Sequence, residues 1–230
     1  MIMTLLDEFN QIFPSSGSSV KKAQFPITIR ETNPGVKGLG TVIIEDNLGC
    51  YTPCEIPRFY YDTGVKIVPK LFTGDNCDGI QLILSDQGRC HLVLIELKST
   101  LGNGDIAKAS KQLLYSFLKF RCFLVSCISS DAVLQNVTAI MCFKNYKDTN
   151  QENYYMELHR KSTANRLSRD ERWCLHLVLG KPRKIQLKDF WELKGLPLHP
   201  SIADVEIEFR LYKTDNHTDT SLTLNVSDII

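Results

Sequence analysis

Short amphipathic and β-like runs alternate along this chain. Ile2, Leu5, Leu6, Phe9 and Phe13 recur at helical spacing and predict a short helix over residues 2–13. The run Pro14-Ser15-Ser16-Gly17-Ser18-Ser19 then breaks it, giving an N-terminal helix and loop over residues 1–20. Strand-like runs follow at Phe25–Ile29, Thr41–Glu45 and Val65–Val68, punctuated by Gly and Pro. Gly79–Ser85 and His91–Lys98 are apolar runs joined by Asp86-Gln87-Gly88-Arg89, which has the chemistry of a hairpin turn. Asp105 is placed to cap a helix running to about Arg121, whose apolar stripe is Ile106, Ala109, Leu113, Phe117 and Phe120. Cys122–Ile128 and Val137–Phe143 are apolar throughout rather than alternating, the pattern of strands covered on both faces. Further on, Tyr154–Leu158, Trp173–Leu179 and Val205–Tyr212 predict strands, and Leu187–Leu193 a short helix. The expected architecture is a single α/β domain over residues 1–230, a mixed central sheet flanked by helices.

Composition changes this picture little. The 230 residues are 43% hydrophobic and 23% charged, which excludes wholesale disorder, collagen and coiled coil. No apolar stretch is long enough to span a membrane, and Asp7 and Glu8 stand where a secretory leader is basic and apolar, so a cytoplasmic location without membrane association is expected. The eight cysteines are then read as reduced, and Cys50 and Cys54, spaced CxxxC, lack the second close pair of a zinc site. The formal charge of +1 hides an asymmetry. Nine Lys and Arg lie between His159 and Lys188, whereas residues 203–230 hold six acids against Arg210 and Lys213. A basic segment of this kind binds phosphates without reading sequence, and is equally a solvated or protein-binding face.

Candidate chemistry centres on Asp78, Glu96 and Lys98. Val93-Leu94-Ile95 is wholly apolar yet ends in Glu96-Leu97-Lys98, and a spacing of two in a strand puts Glu96 and Lys98 on one face. Asp78 opens the preceding strand, and a hairpin sets the start of one strand beside the end of the next. Two carboxylates and a lysine therefore converge at one sheet edge. Such carboxylates suit a hard divalent cation, and the lysine suits an attacking water and developing negative charge. The following helix carries Lys108, Gln112, Tyr115 and Lys119 at spacings of four, three and four, a face able to address a phosphate backbone or simply solvent. Gly35–Gly40 (GVKGLG) lacks the trailing Lys-Ser/Thr of a phosphate loop, and no His is indicated that would make Cys77 a nucleophile.

Cys77-Asp78-Gly79, then Ile95-Glu96-Leu97-Lys98, then a helix with Gln112-Leu113-Leu114-Tyr115, resembles the PD-(D/E)XK nuclease superfamily. The resemblance covers residues 65–143, about a third of the chain, and leaves 145–230 as a basic, β-rich extension. Cys77 stands where the motif has Pro, and the Gln–Tyr spacing is one residue shorter than in the RecB-like branch that it resembles. The resemblance implies a restriction-endonuclease-like core, with Asp78 and Glu96 as ligands of Mg²⁺ (or Mn²⁺) and Lys98 positioning the nucleophilic water. DNA is the expected substrate, with the helix face of Lys108, Gln112, Tyr115 and Lys119 toward the strand, and of these Gln112 and Tyr115 carry the resemblance to the family's helix motif. Many members add a glutamate from upstream, for which Glu8, Glu31, Glu45 and Glu55 are the candidates. Restriction or antiviral assembly, a targeting or activating subunit and a homodimer belong to the same analogy. The rival expectations are an inactive nuclease-like module binding nucleic acid or protein, and a nuclease acting on RNA.

Overall fold

The computed structural model describes residues 4–14, 19–31, 39–61, 76–101, 104–127, 129, 134–146, 149–163, 166–191, 193–214 and 218–230. The predicted strand at Val65–Val68 and most of the GVKGLG run lie outside them.

In chain order the elements are α1 (Leu5–Ile12), β1 (Lys21–Lys22), β2 (Ile27–Arg30), β3 (Thr41–Glu45), β4 (Tyr51–Glu55), β5 (Gly79–Ser85), β6 (Cys90–Leu101) and α2 (Asp105–Leu124). They continue with β7 (Leu134–Tyr146), α3 (Thr149–Thr163), α4 (Arg169–Val178), β8 (Arg183–Gln186), α5 (Pro200–Ala203), β9 (Glu206–Lys213), β10 (Ser221–Asn225) and α6 (Val226–Ile229). A seven-stranded mixed sheet runs β1-β4-β5-β6-β7-β9-β8, and a three-stranded sheet runs β10-β3-β2. The β5–β6 hairpin is antiparallel, β6–α2–β7 is a parallel crossover, and β9 adds parallel to β7.

Alternation along β6 explains the layering. Leu92 and Leu94 point to one face, where they join Phe117, Phe120 and Trp173 of the helices in one buried cluster. Val93, Ile95 and Leu97 point to the other, where they meet Ile29, Val42, Ile44 and Leu224 of the small sheet. Burial on both sides is why β6 and β7 read as continuous apolar runs. The α1 helix, closed by a Thr4–Asp7 capping box, brings Phe9 against Tyr60 and Phe120 at ring separations of 4.9 and 6.1 Å. Among the described residues no helix is long and apolar enough to cross a membrane.

Four sequence expectations are corrected. Of the strand expected at Cys122–Ile128, the described residues 122–127 form none: α2 runs on to Leu124, and Leu124 and Cys127 prolong the stripe of Phe117 and Phe120 at helical spacing. Tyr154–Leu158 lies within α3, with Tyr155 and Leu158 buried and Met156 exposed. Trp173–Leu179 belongs to α4 and the residue after it. The alternating burial of Trp173, Leu175 and Leu177 mimics a strand, but Ser168 and Glu171 close a capping box at the helix start. The helix expected at Leu187–Leu193 shrinks to a single 3-10 turn, Leu187–Asp189.

Candidate active site

The hairpin register pairs Gly79 with Ile95, so one step further the strands bring Asp78 across from Glu96. Glu96 stands on the α2 face of the sheet, in step with Leu92 and Leu94. Asp78 Oδ2 accepts the backbone N–H of Leu97 at 2.8 Å, which ties the start of β5 to the end of β6. Glu96 is only 3% exposed. Lys98 Nζ donates to Glu96 Oε1 at 2.5 Å and to Gln112 Oε1 at 3.0 Å, so its ammonium is fixed between strand and helix. Glu96 Oε2 is buried and accepts no hydrogen bond. The structure thus brings together Asp78, Glu96, Lys98 and Gln112.

Electrostatics mark the same place. Burial pushes the Glu96 carboxyl up to about 8, Asp78 beside it pushes in the same direction, and the Lys98 charge and hydrogen bond oppose them. The charge of Glu31, one residue past β2, also acts on Glu96 and raises it. Of the four upstream acids Glu31 is the one whose charge reaches this carboxyl. Its place there depends on packing of the small sheet, which no local spacing announces.

The α2 face departs from its expected role. Gln112 and Lys119 are buried. Gln112 Nε2 donates to the Asn76 carbonyl at 3.3 Å, Ser116 Oγ accepts the Cys77 N–H at 2.9 Å, and Lys119 Nζ donates to Asn76 Oδ1. Residues 112, 116 and 119 thus grip the segment that leads into Asp78. Sequence reasoning missed Ser116, and only the register of α2 over that segment reveals it. Tyr115 is 9% exposed, and Lys108 alone of the predicted stripe is well exposed. Gly79 is required for packing: a Cβ there would lie 2.9 Å from Ile29 Cγ2.

Other candidates stand apart from this centre. The Cys77 thiol is pushed up to about 12, chiefly by burial, which makes it inert as a nucleophile at neutral pH. Cys50 is exposed and Cys54 buried, and among the described residues no group of three or more His, Cys, Asp and Glu side chains is gathered to hold a metal. Asp78 and Glu96 form a two-carboxylate set. Of the basic segment, Lys184 pairs with Glu206 and Glu208, and Lys188 with Asp204, so the acidic tail neutralises part of it. Trp173 is core, its Nε1 donating to Ser110 Oγ at 3.1 Å. Two cavities, of about 610 and 590 Å³, are lined by other residues than this centre. No family model, curated protein or solved structure matches the chain.

Proposed function

We propose that the chain is a metal-dependent nuclease that hydrolyses phosphodiester bonds in DNA, on a restriction-endonuclease-like core formed by β5, β6, α2 and β7. The observation that carries this reading is the buried Glu96 carboxylate beside Asp78, one oxygen bound by Lys98 and the other without a partner. A buried polar atom without a hydrogen bond is costly, and a carboxylate pair in that state is suited to a hard cation. Asp78 and Glu96 would hold Mg²⁺ or Mn²⁺, with Glu31 adding negative charge nearby. Such a cation, when bound, polarises a phosphoryl oxygen and relieves carboxylate repulsion.

The chain's own residues supply the rest. Lys98 holds its ammonium at the carboxylate, where it orients an attacking water and offsets negative charge growing on the phosphate oxygens. Gln112 fixes Lys98 from the helix side and Asn76 from the loop side, so that Lys98 and the segment before Asp78 share one support. Asp78 is held by the Leu97 N–H, which keeps it turned toward Glu96.

The test is cleavage of supercoiled DNA, and of RNA of matched sequence, with and without Mg²⁺ or Mn²⁺. The parent cleaves DNA only with the cation, and Lys98→Ala and Glu96→Ala each slow cleavage on the order of a hundredfold or more. Equal rates in parent and variants, or a parent that shows neither cleavage nor calorimetric heat with either ion, would overturn the proposal and leave a binding module.

A further inference from the structure

We propose that a second site, formed by α4, β8 and Trp191, binds a nucleoside 5′-phosphate unit, with phosphate on Arg172 and Arg183 and base against the Trp191 indole. The cavity there has a volume of about 590 Å³ and includes Arg172, Trp173, His176, Arg183 and Trp191 in its lining. That volume lies within the usual range for small-molecule sites, and it accommodates one nucleotide with room for water.

Construction of the site follows from the fold. The capping box at Ser168 starts α4 and sets Arg172 and His176 four residues apart, on one face of the helix. Antiparallel pairing of β8 with β9 sets Arg183 opposite Phe209, whose ring packs at 5.0 Å from Trp173. Arg183 therefore stands on the same side of the sheet as α4. Trp191 is half-buried, stacked on Phe190 at 3.9 Å and edge-on to Trp173 at 5.3 Å, so its indole forms a stiff wall.

Charge selects an anion. Lys184 at the rim is neutralised by Glu206 and Glu208, at 3.5 and 3.6 Å. Arg172 and Arg183 are exposed and make no ion pair among the described residues. Burial first, and then the charges of Arg183 and Lys181, hold the His176 imidazole below its usual range. Two acids share the lining, Asp189 and Glu206, and Lys184 engages Glu206, so Arg172 and Arg183 are the guanidinium groups placed to grip a phosphate, which they do bidentately. Gln186 and Asp189 also line the cavity and offer hydrogen-bonding groups to a base edge. An aromatic wall beside paired arginines is the combination that recognises a base and its phosphate together.

The chain has two tryptophans, and both line this cavity, so intrinsic fluorescence reports on it directly. Titrations are made in EDTA, so that a failure here is separate from any failure of the metal-dependent reading. The probes are a 5′-phosphorylated thymidine tetranucleotide, thymidine 5′-monophosphate, thymidine and polyglutamate. The tetranucleotide or the monophosphate quenches the fluorescence. Thymidine binds at least about tenfold more weakly, and the exposed pair Arg172→Gln/Arg183→Gln weakens the phosphorylated probe by at least about tenfold. Equal affinity for tetranucleotide and monophosphate assigns the site to a free nucleotide, and tighter binding of the tetranucleotide assigns it to a single strand. Absence of quenching by either, an unchanged affinity in the double variant, or equal quenching by polyglutamate overturns the proposal.

Discussion

Replacing Glu96 by Gln keeps the shape of the side chain and removes its titration, which isolates the energetic cost of this carboxylate. In the folded, metal-free protein the carboxyl is raised from 4.5 to about 8, by burial first and by Asp78 second. The sign follows directly. Below the unfolded value both states hold the proton and the contribution to stability is complete. As the pH rises toward the folded value the unfolded chain releases a proton that the native state keeps, so stability falls, and it levels off above about 8. At about 1.4 kcal/mol per tenfold change in the proton equilibrium, the full loss is about 5 kcal/mol, a large share of the stability of a domain this size. The Lys98 ion pair is already contained in that net figure. Urea unfolding of parent and Glu96→Gln in EDTA, from about pH 5 to about pH 9, measures the difference. Glu96→Gln gains on the parent up to about pH 8 and the difference then holds level, and Mg²⁺ or Mn²⁺ restores stability to the parent alone. A difference between the two proteins that does not change with pH would refute the reasoning, whatever the absolute stabilities.

Two further substitutions test the scaffold around the centre. Gly79→Ala drives a Cβ to 2.9 Å from the branched Ile29 side chain. It lowers stability by about 1–3 kcal/mol, and by clearly less in an Ile29→Ala background, as a thermal double-mutant cycle will show. Ser116→Ala leaves the buried Cys77 N–H without its acceptor and costs about 1–3 kcal/mol by urea unfolding, even though alanine favours the helix. A Ser116→Ala midpoint equal to the parent's would mean that α2 does not hold the segment leading into Asp78.

What the sequence made legible is local. Thr41–Glu45 is a strand over the predicted bounds, because its alternation is realised as Val42 and Ile44 bury against the large sheet. The turn at Asp86-Gln87-Gly88-Arg89 closes the hairpin with Gly88 at a φ of 74°, a conformation that glycine accepts freely. Once that hairpin is granted, period-two geometry brings Asp78, Glu96 and Lys98 together without tertiary information. The remainder depends on contacts distant in sequence. Glu31 reaches Glu96 from the small sheet, and Arg183 reaches the α4 cavity because β8 pairs antiparallel with β9. The inward turn of Gln112 and Lys119 was hidden for the same reason. A polar stripe on a helix looks solvated until the backbone groups of residues 76 and 77 are seen to need its partners.

Those partners bear on why a costly carboxylate pair persists at the sheet edge. Left to themselves, Asp78 and Glu96 would separate or draw in water, since ionised groups gain more from hydration than from proximity to each other. Here neither can move independently. The backbone before Asp78 is held from α2 at three points a turn apart, its carboxylate is held by the Leu97 N–H, and Glu96 is held through Lys98 to the same helix. Helix α2 is in turn fixed by Phe117 and Phe120 in the main core and by the Ser110–Trp173 hydrogen bond to α4. The core therefore supplies the stability that the carboxylates withdraw. On the proposed reading, a cation entering this site would meet two carboxyl groups already held in position.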